Sequence, residues 1–126
     1  MNSQESKQIP IIYKVDIFPT IGWNGDVTLL SPEMLGVQSL RHNNFVSGNL
    51  HTSGLSDIIS ASLNSTYLQE YIQGFEACKR SCKHFDYCQG GNASNKHFEL
   101  HNIAGTETSH CINSQQKPID AILSLL

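Results

Sequence analysis

The chain has 126 residues and a formal net charge of -3, enough for one domain with a modest core and without the basic footprint that nucleic acid requires. No stretch has the apolar length of a membrane span, so neither nucleic acid nor membrane is expected as a partner. The opening run Met1–Gln8 is polar and lacks the basic-then-apolar order of a secretory signal; it reads as a disordered lead (1–8) to a single domain (9–126) in the reducing cytoplasm.

The front half reads as β. Residues Ile11 to Phe18 are rich in β-branched and aromatic types, Pro19 and Gly22 end that strand, and Trp23-Asn24-Gly25-Asp26 holds an Asn-Gly turn before Val27-Thr28-Leu29-Leu30, a hairpin signal. Ser31-Pro32-Glu33 offers an N-cap, a first-turn proline and an acid, but Gly36 closes that helix after one turn. Ser47-Gly48-Asn49-Leu50 reads as a turn. A short helix is expected from Ser56, with Leu55, Ile58, Ile59 and Leu63 as its apolar stripe. From Ser65 or Thr66, the residues Tyr67, Leu68, Tyr71, Ile72, Phe75 and Cys78 recur at helical spacing, although Gly74 argues against continuity. A terminal helix over Pro118–Leu126 would lay its apolar face on the core or on a partner.

The chemistry lies between Cys78 and Cys111. On a persisting helix, Cys78 and Cys82 project from one face a turn apart; Cys88 follows, Gly90-Gly91 lets the backbone turn tightly or approach a bulky group where a Cβ would collide, and Cys111 supplies a fourth thiol. Four cysteine thiolates are what a 4Fe-4S cluster takes, with potentials spanning about -700 to +450 mV. The oxidised four-thiolate cluster carries a net charge of about -2, which Lys79, Arg80, Lys83 and Lys96 would offset. Zinc is the alternative, but zinc modules pair tight Cys-x2-Cys knuckles, whereas the gaps here are three, five and twenty-two residues. Two disulfides are a third possibility, disfavoured in the absence of any secretory mark. His84, His97, His101 and His110 show no paired ligand spacing and read as surface or hydrogen-bonded loop residues.

The run Cys78-x3-Cys82-x2-Phe85-x2-Cys88-x-Gly90-Gly91-Asn92-Ala93-Ser94-Asn95-Lys96-x2-Glu99, then Thr106-Glu107-Thr108-x2-Cys111, resembles the C-terminal SPASM-type auxiliary cluster region of radical SAM peptide maturases. Within that group it is most similar to the cyclophane-forming maturases of glycine-rich-repeat peptides. The likeness extends through Trp23-Asn24-Gly25-Asp26-Val27, Leu30 to Gly36 and Ser47 to Leu50 in the same order. It implies that Cys78, Cys82, Cys88 and Cys111 ligate one auxiliary 4Fe-4S cluster. Val27 to Ser31, where many members place a ligand to a second cluster, has no cysteine, so one cluster is the limit. The Cys-x3-Cys-x2-Cys site of radical SAM catalysis is missing, because position 85 is phenylalanine. The chain is therefore not expected to cleave S-adenosylmethionine or to be a catalyst alone.

The expected fold is a small single α+β domain: an N-terminal β-hairpin, then short helices and a cysteine-rich loop around a cluster. Two functions follow. In one, the domain is an auxiliary partner of a radical SAM or other maturation enzyme, relaying an electron or positioning a precursor peptide. In the other, zinc or a cluster is only a staple in a peptide-binding adaptor, whose hairpin edge captures an extended peptide. A remnant of a split maturase is a further alternative. The apo form is expected to be poorly ordered beyond Phe75, because metal binding doubles as folding energy in a small core.

Overall fold

A computed structural model describes residues 17–126. The lead 1–8 and residues 11–16 of the first expected strand lie outside them. The fold is α+β: a three-stranded antiparallel sheet in the order β1-β2-β3, followed by short helices and one long one. Strand β1 (Thr20–Ile21) pairs with β2 (Asp26–Thr28), Thr20 opposite Thr28. The turn between them is wider than a two-residue Asn-Gly connection. Gly22 N–H donates to Asp26 O (2.7 Å) and Gly25 N–H to Gly22 O (3.0 Å), with Gly25 at φ +89°. This is the three-residue loop that ends in a left-handed glycine.

Ser47–Leu50, expected as a turn, contributes a third strand instead, β3 (Gly48–Asn49), with Val27 opposite Gly48 and Asp26 opposite Asn49. Two residues rich in turn formers carry no strand signal. The strand exists because Asn49 donates its side-chain amide to Asp26 Oδ1 and to Asn24 O, both at 3.0 Å, and because Gly48 lies flat on Ile58, whose side chain would stand 2.8 Å from a Cβ there. Val27, Leu29 and Ile58 form the small core beneath the sheet. Ile58 belongs to α1 (Leu55–Ala61), and it is the only residue of the expected stripe that α1 fully buries.

Helix α2 (Thr66–Ser81) is the spine, burying Tyr67, Leu68, Tyr71, Ile72, Phe75 and Cys78 along one face. These pack with Leu30, Met34, Phe45, Phe85, Ala93 and Ile103 into the main core; each fully buried large apolar side chain contributes about 1.5–3 kcal/mol. The Tyr67 hydroxyl bonds to Ser47 Oγ, tying α2 to the sheet. Phe45, wholly buried at φ +57°, stacks on His42 at 4.7 Å and meets His97 edge-on at 5.0 Å. His42 in turn bonds to Glu70 at 2.7 Å on the α2 face.

Beyond α2 come α3 (Phe85–Cys88), α4 (Ala93–Leu100), α5 (Ser109–Cys111), a π-helical turn over Ile112–Gln116 and α6 (Lys117–Ser124). The expected terminal helix thus begins earlier than Pro118, and α6 buries no residue. No helix among the described residues is long and apolar enough to cross a membrane.

Gly74 does not break α2. A Cβ at Gly74 would stand 2.7 Å from Ile103 O and 2.9 Å from Gly105 O, so the glycine admits a crossing backbone. Alanine normally gains about 1 kcal/mol over glycine within a helix, but backbone carbonyls cannot swing aside as a side chain can. Gly74→Ala is therefore expected to destabilise the domain by about 1–3 kcal/mol, measured by urea unfolding followed by far-ultraviolet circular dichroism.

Candidate metal centre

Four separate pieces of backbone deliver the four cysteines. Cys78 lies in the last turn of α2 and is buried, while the other three are half-buried. The helix does not continue through Cys82. That residue is extended (φ -104°, ψ 121°) and only its N–H stays with the helix, donating to Cys78 O at 2.8 Å. Cys78 therefore reaches the cavity from the last turn of the helix and Cys82 from the extended residue just beyond it.

Cys88 closes α3, where Gln89, Gly90 and Gly91 all take positive φ, at 57°, 98° and 74°. The glycines let the backbone turn tightly, one of the two needs expected of them. A Cβ on Gly90 would stand 3.0 Å from the Phe75 ring, whereas one on Gly91 would meet only Lys96 Cε at 3.9 Å. Left-handed backbone and the packing of Phe75 account for glycine at position 90. The loop is pinned by the Tyr71 hydroxyl, which donates to Gly91 O at 3.1 Å, and Gly90 O faces Cys78 Sγ at 3.9 Å.

Asn92 caps α4, its side-chain oxygen accepting from Ser94 N–H (2.8 Å) and Ser94 Oγ (2.7 Å). At the far end of α4, the Glu99 carboxylate accepts from the backbone N–H groups of Ser109 (3.0 Å) and His110 (3.2 Å). Those bonds, His110 first, hold the Glu99 carboxyl below the usual carboxylate range. Thr108 Oγ1 then accepts from Cys111 N–H at 3.0 Å. Glu99 and Thr108 together set the turn that carries Cys111, roles that residue spacing alone does not reveal.

All four cysteines line one cavity of about 900 Å³, together with Lys96, Gly90, Gly91 and Gln116. No two are joined as a disulfide, and among the described residues no group of three or more His, Cys, Asp or Glu side chains converges as a single-ion site. Burial pushes the Cys78 thiol up, Lys96 pulls it down, and Cys82, Cys88 and Cys111 push it up again, so Cys78 feels the other three thiols.

Of the four cations expected to balance a cluster, the structure brings two to the cavity. Lys96 is buried, with Nζ 3.8 Å from Cys78 Sγ; Lys83 lies at the rim, and Lys79 and Arg80 face solvent. Burial pushes the Lys96 amine down, and Cys78, then Cys111 and Cys88, push it back up. A second donor, Gln116 Nε2, stands 3.5 Å from Cys111 Sγ while also reaching Glu107 at 2.8 Å. It belongs to the π-helical turn, a distortion often found at functional sites. Four thiols, a buried cation and an amide donor around one roomy cavity fit an anionic metal–thiolate group.

His84 is a hydrogen-bonded turn residue, one of the two alternatives expected; it is buried, and its Nε2 bonds to Asp120 Oδ1 at 2.7 Å. His110 is exposed and borders the cavity.

No protein-family model matches the chain, and no solved structure does. Among curated proteins, it is similar to the uncharacterized protein sll1766 of Synechocystis sp., at 27% identity over 107 residues, which is 85% of this chain and 27% of that protein. The chain thus spans about a quarter of that relative's length.

The His84 bond holds the Asp120 carboxyl below its ordinary range. Its contribution to docking α6 is therefore full above the ordinary carboxylate pKa of about 4 and is lost as pH falls through the depressed value. Amide exchange across 117–124 is expected to rise severalfold in Asp120→Asn at neutral pH. The parent chain should show the same rise only in acid.

Proposed function

We propose that this chain is an auxiliary iron–sulfur module, with Cys78, Cys82, Cys88 and Cys111 as ligands to one 4Fe-4S cluster. The observation that carries the reading is the meeting of all four thiols on one cavity, each from a different backbone segment, with Lys96 buried beside Cys78. A cavity of this size suits a polynuclear cluster better than one zinc ion, whose sulfurs must close to about 2.3 Å from the metal. When bound, the cluster supplies one-electron chemistry. With every corner held by cysteine no iron stays open, so the chain relays electrons or gives support and does not act as a Lewis acid.

The work is done beside another body. The resemblance in sequence suggests a radical SAM or other maturation enzyme acting on a ribosomally made precursor peptide, and a relative about four times as long as its matched segment is consistent with a domain that normally sits next to further sequence. Free thiols suit the reducing cytoplasm. The chain is not a catalyst alone on this reading.

A second reading rests on the hairpin. Ile21 on β1, Phe18 just before that strand and Trp23 in the turn after it are all exposed, and β1 is an edge strand of the sheet, the surface a peptide would use to add a strand. On that reading the metal, zinc or cluster, is a staple and the domain a peptide-binding adaptor.

Anaerobic purification with iron and sulfide assay separates the two. About four iron and four sulfide per chain, reducible and reoxidisable, are expected in the parent protein and in His110→Ala, and are lost in Cys88→Ala. Zinc in place of iron with peptide binding intact would favour the adaptor. Equal metal content in all three proteins would remove the proposed ligand set.

A further inference from the structure

Among the described residues Lys96 is the only buried lysine or arginine. Its amine sits 5.8 Å from the Tyr71 ring centroid and 3.8 Å from Cys78 Sγ, and among those residues no carboxylate lies within ion-pair reach of it. A neutral thiol is a weak acceptor, and a buried ammonium without an anion destabilises the fold that encloses it. Lys79 and Arg80 achieve the same charge at the surface without that cost.

We propose that Lys96 is a charge lock: its buried ammonium keeps the cysteine segment loosely packed until an anionic metal–thiolate group fills the cavity, and then holds that group in place. The inference rests on the reading that the four thiols bind metal, and it adds what the ligands alone do not give. One residue opposes the empty fold and favours the filled one. A lysine retained only for packing would favour both, because its stem covers apolar surface in either state.

Cobalt(II) chloride is a suitable probe, since its thiolate charge-transfer absorbance reports binding whatever metal the protein carries in the cell. Metal-free protein is compared with Lys96→Met and with Lys79→Met, which makes the same charge change at an exposed site. Lys96→Met is expected to melt at a higher temperature than the parent when empty, to bind cobalt about tenfold more weakly or worse, and to gain less melting temperature on loading. Lys79→Met should follow the parent throughout. If Lys96→Met does not fold, Lys96→Gln, one bond shorter, polar and uncharged, carries the same comparison.

Lower stability of the position-96 variant in both states would overturn the inference in favour of plain packing. Cobalt binding equal to the parent's would overturn it alone, leaving the ligand set standing. A parent protein that gives no thiolate–cobalt bands and takes up no iron and sulfide on anaerobic reconstitution would sink the metal reading and this inference with it.

Discussion

The backbone carbonyls of Ile103 and Gly105 pressed against Gly74 are the contact on which the site depends. Between Cys88 and Cys111 the chain leaves along α4 and must come back. It does so across α2 at the one position without a side chain, with Ile103 buried in the main core. Only after that crossing do Glu99 and Thr108 catch the backbone and aim Cys111 at the cavity. The helix that organises the core and the helix that presents Cys78 are the same. Core packing and the spacing of the thiols therefore cannot be adjusted independently.

The cavity is electrostatically lopsided. Cys78 and Lys96 lie at its closed side, in the main core or against it, while Cys82, Cys88 and Cys111 are half-buried toward the rim with Lys83. A charged group held there has one corner in a low-dielectric wall and three nearer water. Its charge is met most strongly from the inner side, where solvent and salt screen least. Gln116 adds a neutral donor to the sulfur of Cys111, and neutral donors adjust a sulfur's electron density without changing net charge.

Much of this was legible in the residues. The periodicity of Tyr67 to Cys78 announced α2, and Ser31-Pro32 with Gly36 announced a one-turn connector, found at Pro32–Met34. The four cysteines stood out at once, and the structure brings them to one cavity. What stayed hidden was long-range. β3 is made by pairing and by the side chain of Asn49, not by propensity. Gly74 looked like a helix breaker because its partner, the 103–105 backbone, is distant in sequence. The partner of His84 was out of sight because Asp120 lies 36 positions away. Among the basic residues near the cysteines, composition cannot tell which one the fold turns inward.

Trp23 stands at the hairpin tip with 99% of its surface open to solvent, and it is the chain's single tryptophan. Its indole already experiences water in the native state, so intrinsic emission from that residue is nearly blind to the collapse of the core. Among the described residues, the tyrosines that sense the interior are Tyr67 and Tyr71, packed along α2. An optical record of this domain coming apart is written in tyrosine.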